Sequence, residues 1–345
     1  MGSSKSDAAR VFIISNATLS LGSNIMFTLA AIYHITFFGM SPLQLVLIGT
    51  AHQITVLLCE IPTGLIADLR SRRLSVILGV LIIGLASLLI GGIPWMANHI
   101  LPAGFPLFLL LVVGEIIRGV GATCISGAQD AWLTDEIGQQ NISPVFLRSS
   151  QVSQAAGLAG MFISIALSSW ALHLPFLAGA LLHAGLAVYL IRAMREENFR
   201  PAPRSGKRLS GALDGTLRAG LAAIRGKQVL VLLMVATFFA GAASEGFDRL
   251  WEAHFLKTLG LPEVGNLDSV FWFGLLNLGA KILSIAALSW ARVRLDTRAD
   301  WRVSRYLAAL SGLHLVLMLA IPRFSMAWPL KCLPTELPSW KTFLE

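Results

Sequence analysis

Charge is what this sequence has least of. Of its 345 residues only 13% are Asp, Glu, Lys or Arg. Soluble domains carry about 25%, so a water-facing surface of ordinary composition is excluded. At the same time 55% of the chain is hydrophobic, with a mean hydropathy of +0.70. Lipid is the solvent that fits such a chain. Cysteine is also scarce, with three residues. Cys59 and Cys124 lie inside apolar runs and Cys332 near the end, a spacing that suggests neither a disulfide framework nor a metal site. The chain lacks a nucleophile elbow, a phosphate loop and a metal motif. It therefore reads as a protein without cofactor or metal, and not as an enzyme.

Acids are outnumbered, giving a net charge of +8. That sign could suit nucleic acid, but the basic residues are not spread over a polar scaffold. They sit in short gaps between apolar runs, as in cytoplasmic loops of membrane proteins. Nucleic acid is accordingly not an expected partner; the bilayer is. The first run, Val11 to Gly39, exceeds the about 7–15 residues of a signal-peptide core. It reads as a retained span.

A span needs about 20 mainly apolar residues. Nine stretches qualify, at about 11–35, 42–67, 74–97, 105–131, 149–171, 174–193, 228–256, 269–291 and 304–322. With the N-terminus placed in the cytoplasm, 20 of the 27 Lys and Arg residues fall on the inner side or its flanks. The expected location is the inner cell membrane, crossed several times. The expected organisation is a six-helix bundle (1–194), a cytoplasmic basic linker (195–227), a partial bundle of three helices (228–322) and a Pro-containing tail (323–345). Within the linker, Leu209 to Ile224 has apolar residues at helical spacing and is expected to lie on the membrane surface.

Between spans two and three the chain reads "CEIPTGLIADLRSRRLSVILG". Gly64, Asp68, Arg72 and Arg73 follow the order Gly, three residues, Asp, three residues, Arg, Arg. This resembles the loop signature of the major facilitator superfamily. Ser71 stands where that family usually has a glycine. Span four adds Arg118, Gly119 and Gly121, similar to the family's mid-span arginine followed by glycines. Span five has Gly157 and Gly160 but lacks the proline found in the family's drug/proton antiporters. The resemblance covers residues 10 to 322. It implies an all-α polytopic bundle of about nine transmembrane helices, with a complete six-helix first half and an incomplete second half. It also implies a chain truncated at the C-terminus.

Residue chemistry points to the same places. Gly64 would let a neighbouring helix approach. Asp68 among arginines would form a polar clasp near a helix end. Inside spans a charge costs about 2.5–3.5 kcal/mol on insertion scales and so seeks a partner or a cavity. Glu60 in span two, Glu115 and Arg118 in span four, Glu245, Asp248 and Arg249 in span seven, and Lys281 in span eight are the candidates for proton coupling or substrate binding. Glu252, about five residues before Lys257 and the outer gap, is expected to be wet and of little consequence. Asn16, Ser20, Ser23 and Asn24 recur at helical spacing in span one, where they either glue helices or meet substrate. His52 and His254 read as packing or hydrogen-bonding residues.

The function implied is secondary transport of a small molecule by alternating access, coupled to protons, with efflux of a drug or metabolite as the first direction. Uptake of a metabolite is a second reading. A third is a truncated or inactive chain, or a partner subunit with no transport of its own.

Overall fold

The computed structural model describes residues 2–201 and 269–294, together with scattered positions between 215 and 255. The chain divides into two compact units: Met1–Ala253 with Gly265–Leu278, and His254–Val264 with Gly279–Glu345. Most of span seven, all of span nine, the tail and the amphipathic stretch 209–224, apart from Gly215 and Ile224, lie outside the described residues.

The described residues are helical. They form α1 (Gly2–Phe27), α2 (Ala30–Phe38), α3 (Pro42–Leu69), α4 (Arg72–His99), α5 (Leu107–Ile125), α6 (Ala128–Ile137), α7 (Ile142–Ser168), α8 (Leu174–Ala193) and α9 (Ser269–Arg294). Six stretches are long and apolar enough to cross a membrane: Ser6–Phe38, Pro42–Leu69, Arg72–His99, Leu107–Ile137, Gln139–Ser168 and Leu174–Ala193. These are the first six spans expected from the sequence.

Local chemistry sets the boundaries. Gly39 ends α2 in the left-handed region at φ 63°, where a side chain would be strained. Ser41 then caps α3 in a reciprocal capping box with Gln44. Ser71 caps α4, its Oγ accepting from the Leu74 N–H at 3.0 Å. Its backbone is extended, at φ −174°, so no glycine is required before the arginine pair.

Two expected spans are discontinuous. Span one breaks at Thr28 and Leu29, between α1 and α2. Span four breaks at Ser126 and Gly127, between α5 and α6, with Gly127 at φ 69°. Span four also runs on to Ile137, beyond the expected end at 131. Its extra turn carries Asp135 and Glu136, which are poor in lipid but hold partners at the bundle end. Span five begins earlier than expected, because α7 is already helical at Ile142.

Helix α1 packs mainly on α7, and α4 on both α5 and α8. Small residues make these approaches close. A Cβ added at Gly79 would sit 2.7 Å from the Gly121 carbonyl oxygen, and one at Gly160 would sit 2.6 Å from that of Leu21. By contrast, a Cβ at Gly64 would meet nothing within 4 Å among the described residues. The helix approach expected there is carried elsewhere, by these glycines.

Two apolar cores result. One gathers Phe12, Val76, Val80, Trp132, Leu133 and Leu190 beside the α3–α4 turn. The other gathers Met26, Tyr33, Ile48, Ile90, Leu111 and Phe176 toward the opposite end. Exposed leucines such as Leu57, Leu58 and Leu181 face outward, the arrangement of helices bathed in hydrocarbon.

Candidate functional site: a clasp and a buried ion pair

The α3–α4 turn is a polar hub centred on Arg72. Its Nη1 donates to Asp135 at 2.5 Å and to the Ala131 carbonyl at 2.8 Å. Its Nε donates to Asp68 at 3.3 Å, one helical turn back. Asp68 is 52% exposed and Asp135 27%, so the pair with Asp135 is the shorter and the drier. Arg73 donates instead to the Ile191 carbonyl at the end of α8, at 2.7 Å.

The chain after α8 completes the hub. Glu196 accepts from the backbone N–H of Arg72 at 2.7 Å, from that of Arg73 at 3.1 Å, and from the Ser71 hydroxyl at 2.6 Å. A carboxylate thus satisfies the free amides at the positive end of α4. Glu136 does the same for the following residues, accepting from the N–H groups of Glu197 and Asn198 and from the Asn198 amide. The Trp132 indole N–H donates to the Arg195 carbonyl at 2.7 Å. Spans two, three and four and the start of the linker are tied together at one end of the bundle.

Between the two cores lies a second constellation. Glu115 is 2% exposed, and its Oε2 accepts from Arg118 Nε at 2.9 Å and Nη2 at 2.5 Å. The spacing i, i+3 on α5 puts both on one face. His52 on α3 places Nδ1 3.5 Å from the same carboxylate oxygen and 3.2 Å from the Glu115 carbonyl. The Arg118 guanidinium lies 4.5 Å from the Phe27 ring centre, a cation–π contact at the end of α1. Three spans therefore meet on one buried ion pair.

At the break in span one, Asn277 of α9 donates to the Thr28 carbonyl and to Glu252 Oε1, both at 3.2 Å. At the break in span four, the Ser126 hydroxyl donates to Glu60 Oε1 at 2.8 Å. Thr63 adds a hydrogen bond from α3 to the Thr123 carbonyl at 3.1 Å. Each interruption leaves backbone groups without their helical partners, and polar side chains from another span collect there.

A profile of the Major Facilitator Superfamily matches residues 12–333. The chain belongs to the major facilitator superfamily. It is 22% identical over 235 residues to YxaM of Bacillus subtilis (strain 168), an uncharacterized MFS-type transporter. That alignment covers 67% of this chain and 54% of YxaM, so the chain spans about half the length of the curated relative it matches. As a member of this family the protein is a multi-pass membrane protein.

The superfamily's loop residues Asp68, Arg72 and Arg73 converge at the hub, whereas Gly64 lies apart from it. Glu115 and Arg118, both candidates from the sequence, pair with each other on α5. Ser20 and Asn24 line the α1–α7 contact: the Ser20 hydroxyl donates to the Ser153 carbonyl at 2.7 Å, and a Cβ at Gly157 would sit 2.9 Å from Asn24 Nδ2. They serve as helix glue. Lys281 lies in the second unit and has no ion-pair partner among the described residues. Glu245, Asp248 and Arg249 lie outside the described residues.

Glu252 corrects the expectation of a wet acid. It is 6% exposed, and Asn277 of α9 donates to it. Asp135, Glu136 and Glu196 were not expected as partners. Their signal was present as two acidic pairs, "DE" closing span four and "EE" opening an otherwise basic linker. Among the described residues no group of three or more His, Cys, Asp or Glu converges as a metal site.

Proposed function

We propose that this protein is a secondary transporter of a small molecule that works by alternating access and couples transport to protons. The observation that carries the reading is the buried Glu115–Arg118 pair with His52 against it. Ionisable residues inside membrane spans are costly to bury, and where they persist they mark ion or substrate pathways. Here the carboxylate has a basic partner to stabilise its charge and a histidine within reach to exchange a proton. Glu252, buried beside Asn277, is a second acid suited to the same work. Glu60, Glu245 and Asp248 remain further candidates, and Lys281 a basic one.

In this reading residues 1–194 and 228–322 are two bundles that rock about a central site, joined by the linker 195–227. The Arg72 hub is the clasp on the cytoplasmic side, with the N-terminus on that side and the protein in the inner membrane. The superfamily assignment and the buried acids support it; the apolar, aromatic-rich spans favour an amphipathic substrate moving outward. The test uses everted vesicles holding the full chain, with an imposed pH gradient and a panel of fluorescent amphipathic compounds. Gradient-driven accumulation of at least one compound, lost on collapsing the gradient, is expected. Accumulation that ignores the gradient would overturn proton coupling, and no flux of any compound would overturn drug efflux.

A further inference from the structure

A cavity among the described residues lies away from the buried ion pair. It measures about 530 Å³ and sits at the same end of the bundle as the α3–α4 turn, between the start of α1, the end of α6 and the end of α8. That volume falls within the about 300–1,000 Å³ of small-molecule sites. Arg10, Arg192 and Arg195 line it, with Tyr189 and Trp132. Asp7 and Glu136 are its acids.

The positive charge is poorly compensated. Both oxygens of Glu136 already accept from Glu197 and Asn198. Arg10 and Arg192 form no ion pair among the described residues. The one pair that Arg195 makes, to Glu197 at 3.9 Å, is long and exposed. Three guanidinium groups set against Asp7 and an already occupied Glu136, walled by Trp and Tyr at a bundle end, suit a phosphate oxyanion.

The surface below the cavity is apolar. Ile14 lies one helical turn from Arg10 on α1, and Val188 one turn from Arg192 on α8. Both are exposed, as is Ile191 beside Arg192. An anion held by the two arginines would therefore have a hydrocarbon-friendly track leading from it along both helices. A free phosphate needs no such track; an acyl chain does.

We propose that this cavity binds the phosphodiester headgroup of an anionic membrane phospholipid, with an acyl chain lying along Ile14 and Val188. Basic pockets between membrane helices hold such headgroups by charge and by hydrogen bonding together. The lipid would bridge α1 and α8, the first and last spans of the six-helix bundle, beside the residues that pin the linker.

The full chain in detergent is titrated with phosphatidylglycerol or with phosphatidylcholine, and bound lipid is counted by native mass spectrometry. Phosphatidylglycerol is expected to be retained at least fivefold better. The double variant Arg10→Gln/Arg192→Gln is expected to lose that preference, while Arg148→Gln, an exposed arginine of α7 outside the cavity, keeps it. Equal retention of the two lipids by the parent chain would overturn the proposal without any variant. So would an equal loss in Arg148→Gln, which would mean diffuse surface charge. Displacement of the lipid by millimolar inorganic phosphate, with phosphate itself retained, would assign the cavity to the free ion instead.

Discussion

Arg72 and Asp135 lie 63 residues apart in sequence and 2.5 Å apart in space. Asp68, the acid of the loop signature, lies 3.3 Å from the same guanidinium on the open side. One arginine thus holds a drier and a wetter carboxylate, and the two have different consequences.

Asp135→Asn is expected to weaken the hub by about 1.5–3 kcal/mol, the range for a hydrogen bond to a charged group. Asp68→Asn is expected to cost less than about 1 kcal/mol, as exposed pairs do. Both lower transport while the protein remains inserted. Thermal unfolding in detergent beside flux measurements checks the order. If Asp68→Asn destabilised more than Asp135→Asn, the drier pair would not be the principal one.

The α3–α4 turn is expected on the cytoplasmic side. Arg70 is exposed at that turn, so Arg70→Cys offers a reactive thiol without touching the Ser71 cap. An impermeant maleimide added to intact cells should leave it unmodified, and should label it once the membrane is permeabilised. Labelling in intact cells would reverse the orientation.

Removing Arg118 strands a buried carboxylate. Breaking a buried pair from one side costs about 3–5 kcal/mol, so Arg118→Met is expected to destabilise strongly. Glu115→Gln should cost less, since Arg118 is the more exposed partner and retains Phe27. The double variant Glu115→Gln/Arg118→Met should recover part of the loss. A double variant as unstable as the sum of its parts would mean that the two residues act independently.

Glu252→Gln is expected to abolish gradient-driven accumulation and to spare downhill exchange. The reason is its burial beside Asn277, where a carboxyl group can change charge only when its surroundings open. Parallel flux assays in vesicles separate the two activities. Intact gradient-driven accumulation would remove Glu252 from the coupling role and leave it with Glu115.

Apolar run length was enough to read the six spans of the first bundle, because lipid imposes the same length on every crossing. Positive charge marked the α3–α4 turn. The partners of that turn were not legible. Glu196 meets Arg72 across 124 residues, and no periodicity encodes a contact at that distance. Glu252 was misread for a related reason. Its distance from the nearest gap was right, but its exposure depends on a helix that begins at Ser269. Helix breaks escaped too: "SNIMFTLAAIYH" has the composition of an unbroken helix, and its interruption is met by bonds from outside it.

The bond from Asn277 to the Thr28 carbonyl spans 249 residues. Chains grow at about 5–20 residues per second. The first span is therefore made roughly 12–50 s before the amide that completes it exists. During that interval the carbonyl at its break has to be satisfied by something else, water or the insertion machinery, because hydrocarbon offers nothing. The opening crossing of the membrane is thus an unfinished one for much of synthesis. Its final geometry is settled by one of the last helices described.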